Sequence, residues 1–476
     1  MEYQCCNMPV WINLSTLPLP NALRTLCDRV HDAGGRAWLV GGWVRDGLLG
    51  LASSDFDVEV YHLTAEQLCA IAESIGKVVL VGKQFGVFKL SCDTLDDGPV
   101  NIDIALPRTE RNRGKGHRGF SVQFAIDIAP SIAGLRRDFT INSMMFDPIS
   151  HQLLDNHGGR DDLENRALRH VSTAFVEDPL RPLRAMQFCA RFDLALAPET
   201  AVLCQRIASQ CDQLPVERIW MEWRKWALSD YPAAGLAALK QSGWLHGYPQ
   251  LLALPDCAQA LRWHPEGDAW QHTQLVCNAA AAIANREALS EQKRMVLLFA
   301  ALCHDLGKPA TSKSDDQGII RSHGHAEAGV GPASAFLRQI GAPSGLKAAV
   351  LPLVREHLVH LHGAPTPRAI RRLSARLQPV SMTQWEQLVE ADASGRTPLP
   401  PDRPALPWLQ QAEKMRIAQQ PPSKIVTGSW LLAHGMVPGR QVGEAMRNGW
   451  QAQLDGDIDS LADAEQWWKQ YIASVE

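Results

Sequence analysis

No run of about 18 apolar residues, the length a helix needs to cross a bilayer, occurs anywhere in the chain. The first twenty residues contain neither Lys nor Arg and no long apolar core, so neither a signal peptide nor a membrane partner is expected and the reading is cytoplasmic. No Cys-x-x-Cys pair occurs, and eleven scattered cysteines, an odd number, fit reduced thiols better than a disulfide frame or a zinc ribbon. An excess of positive charge is also missing. The net charge of -4 gives no global attraction to nucleic acid, so an RNA partner must be held by local basic patches. With 46% hydrophobic residues and 21% charged residues, disorder as the main theme is excluded, and 476 residues suffice for several domains.

What is present centres on residues 41–60, GGWVRDGLLGLASSDFDVEV. In a strand the side chains alternate, which puts Asp55, Asp57 and Glu59 on one face, expected to look outward, and Phe56, Val58 and Val60 on the packed face. Two carboxylates two residues apart on a rigid strand can share hard cations such as Mg2+, which also accept nucleotide phosphates as ligands. Upstream, Gly41 and Gly42 let the backbone approach a ligand closely. A helix opening near Val44 presents an N-terminus suited to an anion, with Arg45 in its first turn.

Short β-rich runs at 36–40, 55–61, 77–81, 86–91, 100–106 and 120–124, with a helix at 64–75, predict a small α/β domain. In NIDIAL (101–106) the alternation repeats, and Asp103 is a candidate third carboxylate; a polar residue on the wet face of a sheet is the rival reading. PRTERNRGKGHRGF (107–120) sets Arg108, Arg111, Arg113, Lys115 and Arg118 among glycines. It reads as a mobile electropositive flap over triphosphate or RNA. In LRRDFTINSMMFDP, Arg136 and Arg137 have the forks that suit phosphate oxygens, and Asn142 suits a ribose hydroxyl.

After Asp147 a helical character is expected. VEDPLRPLRAMQFCARF places Asp178 as an N-cap with Pro179 and Pro182 in the first turn, and Asp178 and Arg181 three apart on one face, with Arg184 a turn further. Cytosine and adenine both present an exocyclic amine beside a bare ring nitrogen. A carboxylate accepting from the amine and a guanidinium donating to the ring nitrogen would accept C and A and reject U and G. Trp220 and Trp223 are assigned to packing. From about His264 a separate helical domain carries His272, His304, Asp305 and Asp392, ligands of the kind that hold transition metals or Mg2+, while His323, His325 and His357 could complete a second position. In TPRAIRRLSARL, Arg368, Arg371, Arg372 and Arg376 share one helical face, either an RNA-backbone stripe or a solvated surface. The prolines of 399–407 mark a linker, followed by a small helical tail.

With these motifs in view the chain resembles the bacterial CCA-adding tRNA nucleotidyltransferases and the related bacterial poly(A) polymerases, in the subgroup with an HD-type phosphohydrolase domain. GGWVRDGLLG with DFDV, RRDFTIN, and EDPLR with LRAMQFCARF stand in that family's order and spacing, HPEGDAWQHT, CHDLGKP and SHGHAE resemble its HD domain, and TGSWLLAHGMVPGRQVG resembles its tail. The resemblance implies an α/β nucleotidyltransferase head with a small mixed sheet (1–150), then an all-α neck with the base reader (151–255), an HD domain (256–400) and a tail contacting tRNA (401–476). It implies catalytic metals on Asp55 and Asp57 and nucleotide contacts from Gly42, Arg45, Arg136 and Arg137; Mg2+ as the metal, Asp103 as a further catalytic carboxylate and Asn142 as a nucleotide contact stand on the reading of the residues above. Asp178, Arg181 and Arg184 would read base and phosphate, and His272, His304, Asp305 and Asp392 would hold the divalent metal of a phosphohydrolase. Ser143, Trp430 and Arg440 depart from the family's usual residues, which weakens the tail's assignment. The expected function is template-independent addition of CCA to tRNA from CTP and ATP. The alternatives are a poly(A) polymerase, an enzyme adding only part of CCA, or an HD phosphohydrolase that uses the head as an RNA clamp.

Overall fold

The computed structural model describes residues 12–81, 87–94, 98–112, 120–398, 400 and 402–475. The chain divides into two compact units, one of Met1–Ala185, Leu194–Cys211 and Gln241–Gly243, the other of Met186–Asp193, Asp212–Lys240 and Trp244–Glu476.

The first unit is built on a seven-stranded mixed sheet. Its strands are β1 (Arg36–Val40), β2 (Phe56–Tyr61), β3 (Lys77–Val81), β4 (Val87–Thr94), β5 (Gly98–Ala105), β8 (Met145–Asp147) and β9 (Gln152–Leu154), in the order β3-β4-β5-β2-β1-β8-β9. β6 (Arg108–Asn112) and β7 (Phe120–Phe124) pair separately as an antiparallel hairpin. Within the seven-stranded sheet, among the described residues, only β2 and β5 pair in parallel, and their register sets Asp57 directly opposite Asp103. Val58, Val60, Ile102 and Ile104 are fully enclosed, as the alternation requires. The helix Ala65–Glu73 starts from a Thr64/Gln67 capping box.

Three expectations change here. The segment 107–120 is not a loop throughout: Arg108 and Arg111 lie in strand β6, while Arg113, Lys115 and Arg118 fall outside the described residues. Helical character begins only after the short strand β9. Asp178 does not cap a helix directly, because a 3-10 turn (Thr173–Glu177) precedes it and the helix Arg181–Phe192 starts three residues on; its carboxylate instead accepts from the Leu180 N–H at 3.0 Å.

The second unit is helical. Trp223 is buried against Trp226, Tyr248 and Phe336, and Trp220 stacks on Phe299, so both tryptophans pack as expected. The four arginines of the helix Pro367–Arg376 do not form an open stripe. Arg368 and Arg372 both bind Asp455, Arg371 reaches Asp459, and Arg376 forks onto Glu356, so this face anchors the tail. Part of the proline segment is tied down too, since Arg403 binds Glu386 and Glu390, and Ala405 is buried; Leu399 and Pro401 fall outside the described residues. No helix among the described residues is long and apolar enough to cross a membrane.

Candidate active sites in the head and the HD domain

In the head, Gly41 takes a positive φ of 69° between β1 and the helix Gly42–Leu48, a conformation that glycine adopts without strain. A Cβ there would lie 3.3 Å from Asp57 Oδ2, so the turn runs directly beside that carboxylate. Asp55 is exposed just ahead of β2, Asp57 is half-buried within it, and Asp103 faces Asp57 from β5, with Lys89 Nζ of β4 at 3.3 Å. Burial raises the Asp57 carboxyl to about 6, and the neighbouring Asp55 and Asp103 charges add to the rise against Arg137 and Lys89. A carboxylate that resists ionisation beside two others fits a divalent cation, which would relieve that repulsion. Among the described residues the head carboxylates do not converge as tightly as the HD ligands do. Because protons compete with cations for Asp57, the affinity of the head for divalent ions is expected to fall up to about tenfold for each pH unit below 6 and to level off above it. Mg2+ titrations monitored by nucleotide binding between pH 5 and 8 would check this; a flat profile below pH 6 would contradict it.

Glu59 was expected on the outward face, but its side chain is only 2% exposed. It accepts from Arg136 Nη2 at 3.3 Å and Arg137 Nη2 at 3.1 Å, so those two guanidinium groups are held in place by a buried carboxylate. Arg137 also donates to the Asn142 carbonyl. Glu59→Gln is expected to cost about 2 to 3 kcal/mol, below the usual figure for breaking a buried pair because Arg136 and Arg137 keep some contact with water. A melting temperature unchanged from the wild type would refute it.

Gly42 opens the helix Gly42–Leu48, where an added Cβ would lie 3.6 Å from Arg45 Nη2. Arg45 is buried, binding Asp46 Oδ1 at 2.7 Å and Asn142 Oδ1. Asn142 Nδ2 donates to Asp138 Oδ1 at 3.0 Å, and Arg184 Nη2 lies 2.6 Å from Asp138 Oδ2. Burial opposes ionisation of Asp138, but the Arg184 charge and the Asn142 bond outweigh it and hold the carboxyl low. Arg181 donates to the carbonyls of Ala174 (2.9 Å) and Arg136 (2.7 Å). The structure therefore joins Arg45, Asn142 and Arg184 through Asp138, a residue of the RRDFTIN motif to which the sequence alone assigns no role.

In the HD domain, His272 comes from the helix Ala269–Arg286, His304 and Asp305 follow the helix Glu291–Cys303, and Asp392 lies in the helix Met382–Ser394. All four are buried together with His325 and His357, whereas His323 is exposed and stands apart. His304, His325 and His357 each place Nδ1 2.7 Å from a backbone carbonyl, of Ala301, Ser322 and Val354 respectively. A carbonyl only accepts, so in each neutral ring the proton is on Nδ1 and Nε2 carries the lone pair. Those Nε2 atoms converge on Asp305, His304 at 3.1 Å from Oδ2 and His325 at 3.3 Å from Oδ1. His304 Nε2 is buried without a hydrogen-bond partner, and the Nε2 atoms of His325 and His357 face each other at 3.2 Å. Facing lone pairs in a dry site repel unless a cation lies among them, so the donor set fits divalent metal.

Burial opposes the charge on Asp305 and Asp392, yet His304 and Lys308 beside the first and Arg396 and His272 beside the second hold both carboxyls well below the usual range. Burial and the neighbouring His304 and His325 push His357 down to about 3. Glu266, which touches His272 Nδ1 at 2.7 Å, Lys308 at 2.6 Å from Asp305, and Arg396 belong to this centre but were not foreseen. Glu266 and Lys308 lie within HPEGDAWQHT and CHDLGKP themselves, and that membership is the signal that could have drawn attention to them.

Residues 37–169 match the family model for the poly A polymerase head domain, 193–254 that for a probable RNA and SrmB-binding site of polymerase A, and 269–391 that for the HD domain. The multifunctional CCA protein of Xanthomonas campestris is 35% identical over 427 residues, covering 86% of this chain and 96% of that one. The protein of the same name from Vibrio vulnificus is 36% identical, covering 80% of this chain and 90% of that one. The Thermotoga maritima CCA-adding enzyme complexed with tRNA superposes with a TM-score of 0.60 at 20% identity, over 97% of this chain and 98% of that one. For the Bacillus stearothermophilus CCA-adding enzyme in complex with CTP the TM-score is 0.61 at 22% identity, over 96% and 99%. At these identities the two solved structures establish a shared fold.

Proposed function

Since the chain belongs to the family of bacterial multifunctional CCA proteins, we propose that it is a cytoplasmic, template-independent nucleotidyltransferase adding C, C and A to tRNA 3' ends from CTP and ATP. The observation that carries this reading is the grouping of Asp55, Asp57 and Asp103 beside the Gly41 turn. In the reaction the terminal 3'-hydroxyl oxygen bonds to the α-phosphorus of the nucleotide while the bond to pyrophosphate breaks. Asp55, Asp57 and Asp103 would hold divalent ions, Mg2+ by this reading, which when bound neutralise the triphosphate and acidify the attacking hydroxyl. Gly41 and Gly42 leave room for the phosphates beside the carboxylates, and Glu59 keeps Arg136 and Arg137 extended for phosphate oxygens. Asn142, fixed by Asp138 and Arg45, would orient the ribose, and Asp178, Arg181 and Arg184 would read base and phosphate.

The layout that goes with this function is a head over 1–150, a neck over 151–255, an HD domain over 256–400 and a tRNA-binding tail over 401–476. Incubating tRNA that lacks its 3' end with labelled CTP and ATP should give products that stop after three residues. Long adenylate tracts would instead mark a poly(A) polymerase, and arrest after CC or failure without a preformed CC a partial enzyme.

A second activity is favoured by the lone pairs of His304, His325 and His357 turned onto Asp305. We read the HD domain as a metal-dependent phosphohydrolase of terminal or 2',3'-cyclic phosphates, with His272, His304, Asp305 and Asp392 as one ligand set and His325 and His357 sharing Asp305 in a second. A metal held there supplies an activated water and polarises the phosphoryl group.

A further inference from the structure

Arg396 stands beside the HD ligands without being one of them. It follows Gly395, where an added Cβ would lie 2.5 Å from a Val276 methyl and 3.0 Å from the Val276 nitrogen. The missing side chain lets the end of the helix Met382–Ser394 lie against the helix Ala269–Arg286, which brings Asp392 and Arg396 together at His272. Arg396 Nη2 is 3.1 Å from Asp392 Oδ1, and the same oxygen is 3.1 Å from His272 Nε2. Arg396 Nε is buried and has no hydrogen-bond partner, yet 30% of the side chain remains open to solvent.

The charges at this centre do not balance once a metal is bound. Asp305, Asp392 and Glu266 bring three negative charges, and Lys308 and Arg396 bring two positive ones; with neutral imidazoles, a single divalent ion leaves one positive charge in excess. Lys308 is enclosed between Asp305 and Gln259, with no open side. Arg396 differs, because Asp392, once it turns its charge to an ion, no longer satisfies the guanidinium, and 30% of the side chain is open to solvent, from which an anion can reach it. A guanidinium fork with unfilled donors matches the paired non-bridging oxygens of a phosphate.

We propose that Arg396 binds the phosphate group of the HD substrate directly, which makes it a substrate-binding residue for phosphate esters and not a support for the metal. This rests on the phosphohydrolase reading above. The test uses the full chain loaded with Co2+, with Co2+ affinity and orthophosphate affinity measured separately by calorimetry, and with KM measured for a nucleoside 2',3'-cyclic phosphate and for a terminal phosphomonoester. Arg396→Ala is expected to weaken orthophosphate about tenfold to a hundredfold, the worth of charge-assisted hydrogen bonds, and to raise KM for whichever ester is the substrate. Co2+ affinity should change by less than about tenfold, short of the loss that removing a ligand-orienting group causes. Arg396→Lys, which keeps the charge but not the fork, should recover part of the binding, and it decides the question alone if the alanine variant does not fold. Orthophosphate affinity equal to the wild type in either folded variant overturns the proposal, as does a Co2+ affinity that falls as far as the phosphate affinity. A loaded wild type that binds no orthophosphate sinks the phosphohydrolase reading itself, a result distinct from a variant that matches a phosphate-binding wild type.

Discussion

Asp57→Asn is expected to slow nucleotide addition to truncated tRNA by at least about a thousandfold while hydrolysis of phosphate esters continues at the wild-type rate. Asp305→Asn should do the reverse. The amide has nearly the shape of the carboxylate but lacks its charge, so the change removes what a divalent ion binds without opening a cavity. A thousandfold loss corresponds to about 4 kcal/mol, within the several kcal/mol that metal charge contributes to phosphoryl transfer. For Asp57 the substitution also removes a charge whose burial, with the repulsion of Asp55 and Asp103, lifts its carboxyl to about 6, so the folded protein should melt no lower, and loss of activity cannot be assigned to unfolding. For Asp305 the effect is larger than for a single ligand, because its two oxygens face His304 and His325 respectively and Lys308 would be left beside a neutral group. Steady-state rates for both reactions, measured on both variants, check the pair. If hydrolysis survives neither change, or both, the two metal sites are not independent as described.

The parts of the head that were legible in the sequence are those set by alternation. Apolar and polar residues trade places along 56–61 and 101–106, which fixes the buried face of β2 and β5 and places Asp57 and Asp103 on the other. Alternation gives a side of the sheet and says nothing of what covers it. Glu59 shares that side with Asp57, yet it is buried because Arg136 and Arg137 return from 77 and 78 positions further along the chain. The stripe on the helix Pro367–Arg376 changed for the same reason: helical spacing shows four arginines on a face, but Asp455 and Asp459, which pair with three of them, lie more than 80 residues away, and Glu356, which pairs with Arg376, lies 20 residues away. Asp178 was misjudged locally, since Asp-Pro reads as a helix start while the preceding 3-10 turn already occupies the chain and delays the helix to Arg181. In the HD domain the histidines were legible as ligand types. The convergence of His325 and His357 on Asp305 depends on the carbonyls of Ser322 and Val354 that orient the rings, which no sequence pattern records.

The selection of C and A should depend on Arg181 more than on any other side chain. In the structure its guanidinium donates to two acceptors, the carbonyls of Ala174 and Arg136, and packs 5.7 Å from the Phe175 ring centre. Cytosine N3 and adenine N1 are acceptors of the same kind and can replace a carbonyl, whereas uracil N3 and guanine N1 carry protons and would set donor against donor. Asp178 has the complementary role, accepting from an exocyclic amine where uracil and guanine present an oxygen. A site built to make such bonds rejects a base that cannot make them by about 10⁴ or more. Arg181→Ala is therefore expected to lower kcat/KM for CTP and ATP by about 10² to 10³ and to bring the preference for CTP over UTP to within about tenfold. Asp178→Asn keeps one acceptor and adds a donor, so UTP incorporation should rise relative to CTP while Arg181 still penalises it. Single-turnover incorporation of each nucleotide onto truncated tRNA measures all of these ratios. An Arg181→Ala enzyme that is slower but keeps its full preference for CTP over UTP would mean that the base is read elsewhere and that Arg181 only braces the segments carrying Arg136 and Ala174.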